Sequence, residues 1–144
     1  MTETNKAALA ALLLRVSLGV MFIAHSFILK YLTFTLAGTA QFFESLGLPA
    51  FLAYLTFAAE LVGGIALVIG FRTRLVALAL VPILLGAAWV HIGNGWVFSA
   101  ANGGWEYPIF LIVVSFASAL LGSGAYALDN VLGQAKAKAQ PARA

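Results

Sequence analysis

Four apolar runs dominate the chain, each close to the ~20 residues that a helix needs to cross a hydrocarbon core. They cover Ala7–Leu29, Ala50–Gly70, Leu75–Ile92 and Tyr107–Leu121, the last reaching Leu128 at most. A chain of 144 residues cannot hide so much apolar surface in one soluble core. Composition agrees: 62% of residues are hydrophobic and 9% charged, against roughly half and a quarter in soluble domains. Mean hydropathy is +1.00. The expected fold is all-α: an integral membrane four-helix bundle, and the lipid bilayer is its first partner.

Within that bundle Glu60 is the anomaly. It lies mid-run between Ala50 and Phe71, where a carboxylate is costly and needs a partner or a task. Arg15, inside the first run, is the expected partner. Counted at 1.5 Å per residue from the terminus-side ends of their runs, Arg15 lies about 10 Å deep and Glu60 about 15 Å. A snorkelling arginine stem spans that gap. Such a pair either fixes helix register or forms a proton or ligand site. Gly63 and Gly64 share the Glu60 face and invite close helix approach, as do Gly19, Ala59 and Gly86.

The span boundaries carry their own signals. Pro49 and Pro108 suit first helical turns. Pro82 should kink the third span and strip a hydrogen bond from the carbonyl near Leu78. Phe71–Arg74 is a tight turn. An even span count puts both termini on one side, with Lys6, Arg72, Arg74, Lys136, Lys138 and Arg143, while Lys30 alone falls in a loop opposite. Positive charge makes the terminus side cytoplasmic. Residues 1–6 then form a cytoplasmic N-terminus, 7–128 the membrane domain, and 129–144 a disordered basic cytoplasmic tail. The first run is too long for a signal-peptide core and reads as an uncleaved span.

Two outer segments remain. Tyr31–Leu48 places Phe42, Phe43 and Leu46 beside Gln41, Glu44 and Ser45, a short amphipathic helix between spans one and two, ended by Gly47. The loop 93–106 carries Trp96, Phe98 and Trp105 among glycines; it reads as an aromatic interfacial belt ahead of a lid over a site. His25, His91 and Glu106, on three spans, all count to about 25 Å deep near this face. Ser26, Asn94 and Tyr107 lie close to the same level. His25 is about 80° around the helix from Arg15, so both can face the interior. Each histidine taken singly is an interfacial hydrogen-bonding residue, and helix capping alone accounts for Glu106. Taken together they frame an outward cavity.

Composition also excludes chemistry. With no cysteine, the chain forms no disulfide, cysteine-ligated iron–sulfur cluster or c-type haem attachment. A net charge of +3 arranged by membrane topology is no nucleic-acid signature. No dinucleotide fingerprint is present.

Several segments resemble the DoxX family of small bacterial inner-membrane proteins: Leu14–Arg15 through His25, Gly38–Pro49, Ala59–Gly64, Gly70–Arg74, His91–Gly95 and Gly104–Pro108. The resemblance runs from about residue 9 to Asp129. It implies a multi-pass, four-helix protein of the bacterial inner (cytoplasmic) membrane. The family name derives from similarity to the membrane subunit of a thiosulfate:quinone oxidoreductase, and other members are associated with oxidoreductase or oxidative-stress complexes. Arg15, His25, Glu60, His91, Glu106 and Tyr107 match the positions that carry over.

The leading expectation is therefore a redox-associated subunit that interacts with quinone, with an oxidoreductase partner at the membrane or in the periplasm supplying electrons. Phe22, Phe57, Trp89 and Phe110 are the candidate lining of an apolar slot; His, Glu and Tyr exchange protons with the carbonyl oxygens. A small-solute or proton transporter, working as a homo-oligomer, is the alternative. A non-catalytic anchor or assembly partner is a third reading. Axial haem ligation by His25 and His91, or a metal held by them with Glu106, is the weakest, because no local ligand spacing supports it.

Overall fold

The computed structural model describes residues 2–139. Every regular element among them is helical. Helix α1 (Glu3–Ile23) starts at Thr2, whose hydroxyl accepts from the Asn5 N–H, and continues as a wider π-helix over Ala24–Thr33. Helix α2 (Leu36–Ser45) is the expected amphipathic segment, capped by Thr35 through the Gly38 N–H. Helix α3 is Phe51–Ile69, α4 Thr73–Ala79, α5 Val81–His91 and α6 Glu106–Leu121.

Three helical stretches are long and apolar enough to cross a membrane: Glu3–Thr33, Phe51–Ile69 and Thr73–Asn94. Helix α6, at 16 residues, is a shorter apolar helix packed against them. Pro82 acts as its ring requires, dividing the third stretch at Leu80 into α4 and α5. Gly70 ends α3 in a left-handed cap (φ +72°), which turns the chain at once into α4.

Helices α1 and α3 touch backbone to backbone. A Cβ on Gly19 would stand 2.6 Å from the Gly64 carbonyl oxygen, and one on Gly64 would stand 2.8 Å from that of Gly19. Gly63 makes the matching room for Leu80. These small residues serve contacts within the chain, whereas Gly86 faces open space. Leu18, Phe22, Leu67, Leu84 and Leu111 fill the centre.

The tail departs from expectation. Leu128–Ala139 forms helix α7 instead of disordered chain. Its second residue holds it in place: Asp129 accepts from the N–H groups of Arg72 (2.9 Å) and Thr73 (3.4 Å) and from the Ser123 hydroxyl. That carboxylate caps the start of α4 and ties the tail to the bundle. Residues 140–144, including Arg143, lie outside the described residues.

Candidate functional site

The Gly19–Gly64 contact decides which polar groups meet. The helices are antiparallel, so Arg15, four residues before Gly19, is level with Val68. Glu60, four before Gly64, is level with Ile23. Eight residues of helix, about 12 Å, separate the two charges. The expected Arg15–Glu60 pair does not form. Counting depth from Ala7 misled because the 31-residue stretch Glu3–Thr33 overhangs the end of α3, so that Leu13 and not Ala7 is level with Gly70.

Arg15 is 1% exposed, and carbonyl oxygens satisfy all five of its donors. Nε donates to Ser123 (2.7 Å), Nη1 to Leu67 (2.9 Å) and Val68 (2.6 Å), and Nη2 to Ala125 (3.0 Å) and Tyr126 (3.3 Å). The Leu67 and Val68 carbonyls belong to the last turn of α3, where the intrahelical ladder runs out; Leu67 also accepts from the Gly70 N–H (3.1 Å). The guanidinium therefore clasps the end of one helix to the loop beyond another.

Glu60 pairs with Lys30, Nζ to Oε2 at 2.6 Å, and both side chains are shielded from solvent. The wide helix makes this possible. In an α-helix Lys30 would stand about 140° around the axis from His25. The π-helical i→i+5 turn brings the two back toward one face, where Lys30 Nζ also reaches the His25 carbonyl (3.5 Å). Ser26, fully buried, bonds the carbonyls of Phe22 and Ile23 where the wide turns begin. Lys30 thus points into the bundle and is not the loop residue its place after an apolar run suggested.

His25 adjoins the pair, and Tyr107 adjoins His25. His25 lies within electrostatic reach of the Glu60 carboxylate. Its Nδ1–H donates to the Met21 carbonyl (2.8 Å), leaving Nε2 uncommitted. Its ring stacks on Tyr107 with centroids 5.8 Å apart and planes at 23°. The Tyr107 hydroxyl is buried with no hydrogen-bond partner among the described residues. Tyr31 stacks on Phe27 (5.5 Å) and meets Phe57 at a tilt (6.2 Å).

His91 and Glu106 are committed elsewhere. His91 Nδ1–H donates to the carbonyls of Asn102 (3.0 Å) and Gly103 (3.1 Å). Asn94 donates to the same two oxygens. Glu106 accepts from the Phe98 N–H (2.8 Å), and its own N–H donates to Trp96. With Trp96 edge-on to Trp105 at 4.5 Å, the loop is knitted to itself. Among the described residues no three His, Cys, Asp or Glu side chains gather as metal ligands, so the His25–His91–Glu106 centre is not assembled. Nor do the slot residues meet: Phe22 is buried in the core while Trp89 and Phe110 are exposed on the outside. Two grooves stand out on the described surface, both at the Arg15 end, and neither touches His25, His91 or Glu106.

A model of the DoxX family matches residues 10–93, which hold both Arg15 and the Lys30–Glu60 pair. The chain belongs to the DoxX family. Among its relatives is the Bacillus subtilis protein named "Putative oxidoreductase CatD", 37% identical over 121 residues, or 84% of this chain and 85% of that one. "Inner membrane protein YqjF" of Escherichia coli is 32% identical over 98 residues, 67% of this chain and 73% of the relative. No solved structure matches. With its apolar helices, this DoxX chain is a membrane protein.

Proposed function

We propose that this DoxX protein is the membrane subunit of an oxidoreductase system, with Lys30, Glu60, His25 and Tyr107 forming its proton-exchanging site for a quinone. The observation that carries the proposal is a shielded 2.6 Å ion pair close to a stacked histidine and a buried hydroxyl with unspent hydrogen-bonding capacity. A quinone carbonyl is an acceptor that the Tyr107 O–H can satisfy. Reduction of a quinone consumes protons as well as electrons, and an ammonium–carboxylate pair stores and relays them. The electrons come from a partner, since the sequence has no nucleotide-binding fingerprint. A relative named as an oxidoreductase supports the redox setting, and one named as an inner membrane protein supports placement in the inner membrane.

In this reading α6 is the fourth span. Its 16 residues rise about 24 Å, short of a ~30 Å hydrocarbon core, with Trp105 and Tyr107 near the interface at its start. The termini and the Arg15 end face the cytoplasm, with Arg72, Arg74 and the lysines of α7. The Glu60 carboxylate then lies near mid-depth, at the centre of α3, with Lys30 reaching it from the periplasmic side.

Binding of a short-chain quinone to the protein in lipid nanodiscs, followed by tryptophan fluorescence, tests the proposal. Tyr107→Phe should weaken binding about fivefold, the loss of one hydrogen bond, without lowering thermal stability. Replacing the ion pair with Lys30→Met/Glu60→Leu should slow quinone reduction by the partner's electrons and, in step with it, the uptake of the two protons each hydroquinone requires. Absence of saturable quinone binding to the wild type rejects the proposal.

A further inference from the structure

The Arg15 end has features that the proton site leaves unused. An apolar groove of about 600 Å³ runs between Ile69, at the end of α3, and Leu128 and Val131 of α7, with Tyr126 on its rim. A second groove of about 430 Å³ is lined by Arg72, Arg74, Leu75, Ser123 and Asp129. The first turn of α7 separates them: Leu128 and Asn130 line one, Asp129 the other.

Helix α7 is amphipathic. Leu128, Val131, Leu132 and Ala135 recur at i, i+3, i+4 and i+7, while Asn130, Gln134, Lys136 and Lys138 fall between them. Nothing in the described chain covers this stripe, and Val131 is 63% exposed. The groove is continuous with Ile69, the last residue of a membrane-crossing helix, so the stripe sits where acyl chains meet headgroups.

Charge narrows the occupant further. Lys6 is paired with Glu3 at 2.8 Å. The Asp129 carboxylate is occupied by two backbone N–H groups and the Ser123 hydroxyl. Among the described residues no carboxylate comes within ion-pair distance of Arg72 or Arg74. Arg72 lies over the Phe71 ring at 5.7 Å, and Arg74 packs where Gly122 leaves room. Arg72 and Arg74 thus line a groove beside the apolar one with neither in a close ion pair, although the Asp129 carboxylate shares their groove and feels the Arg72 charge.

We infer that this end holds an anionic phospholipid of the adjoining leaflet, its phosphate on Arg72 and Arg74 and an acyl chain in the Ile69–Tyr126–Val131 groove. Guanidinium forks match phosphate oxygens. An anionic surface attracts each nearby basic residue by an amount that corresponds to a factor of about five in affinity. A zwitterionic lipid fills the same groove but gains less from the two arginines. A free phosphate gains the arginines but not the groove.

Native mass spectrometry of the full chain, released from detergent with equimolar phosphatidylglycerol and phosphatidylcholine of identical acyl chains, reads the preference directly. Phosphatidylglycerol adducts should dominate on the wild type. The preference should fall about fivefold for each of Arg72→Asn and Arg74→Gln. Asparagine suits the left-handed backbone of Arg72 (φ +46°). Val131→Asn, on an exposed face, should reduce retention of both lipids while leaving their ratio unchanged. Circular dichroism confirms that each variant is folded before it is scored. Equal retention of the two lipids by wild type overturns the inference, as does an unchanged preference in the double arginine variant. Displacement of the lipid by millimolar glycerol phosphate would also overturn it.

Discussion

Two charged clusters sit about 12 Å apart along one helix pair, one at the end of α3 and one at its middle, and they handle burial differently. At the Arg15 end a single guanidinium is saturated by five carbonyl oxygens and has no capacity left. At the Lys30 site two opposite charges neutralise one another, and the hydroxyl of Tyr107, whose ring stacks on His25, is left without a partner among the described residues. The Arg15 guanidinium joins the α3 terminus to the 123–126 loop and itself has no donor left for a ligand. The second cluster keeps exchangeable protons and an unspent donor within the bundle. A buried charge is thus a poor guide to function until its hydrogen bonds are counted.

The contrast makes graded predictions. Arg15→Met should have the largest effect. It strands several carbonyls at ~1–3 kcal/mol each, so thermal unfolding in detergent should show a loss of at least ~3 kcal/mol. Arg15→Lys should recover only part, because an ammonium lacks the fork. If Arg15→Met proves as stable as wild type, the clasp has no structural role and the contrast fails.

The Lys30–Glu60 pair should behave in the opposite manner. Lys30→Met alone leaves a buried carboxylate, costing about 3 kcal/mol, whereas Lys30→Met/Glu60→Leu should restore most of the stability. A double-mutant cycle should give at least ~1 kcal/mol of coupling between Lys30 and Glu60. The cycle between Arg15 and Glu60 should be additive within ~0.5 kcal/mol. Coupling of Arg15 to Glu60 instead would restore the pairing that depth-counting suggested.

The smallest effect belongs to Asp129, which lies outside the spans. Burial pushes its carboxyl up, but the Ser123 hydroxyl, the Arg72 and Thr73 N–H groups and the Arg72 charge outweigh this and hold it below the ordinary value. The folded-state value is thus below the unfolded one. Its stabilisation is fully present above about pH 4, near the unfolded value, and is lost as pH falls through the lower folded value. Asp129→Asn should cost about 1 kcal/mol or less at neutral pH, the scale of a helix cap. It should also flatten the acid limb of the stability curve. An acid limb identical to wild type would show that Asp129 does not tether α7.

Much of the architecture was readable from residue order. Apolar run lengths located the three long crossing stretches, Pro82 announced the break between α4 and α5, and the amphipathic pattern before Gly47 announced α2. The signals for the site were partial. His25 and Tyr107 share an expected outer cluster and do stack on each other, whereas Glu60 is assigned to a separate inner pair with Arg15 and meets Lys30 instead. His91 and Glu106 were joined to His25 and Tyr107 on depth alone, yet each is used to lace the 93–106 loop. Lys30 was missed, although an ammonium four residues past Ser26, at the end of an over-long apolar run, is a snorkelling candidate. Asp129 was assigned to a loose tail because its acceptor role depends on backbone N–H groups nearly sixty residues away in the chain.

Hydropathy is a local property, so run lengths, turns and breaks could be read residue by residue without knowing what lies beside them. Partner choice between two helices depends on their relative slide and rotation. Here both were settled by backbone contact at Gly19 and Gly64 and by a change of helical pitch after Ile23. A slide of a few residues moves a side chain by more than a hydrogen bond's reach, which is why the pairing of Glu60 with Lys30 emerged only once the helices were packed.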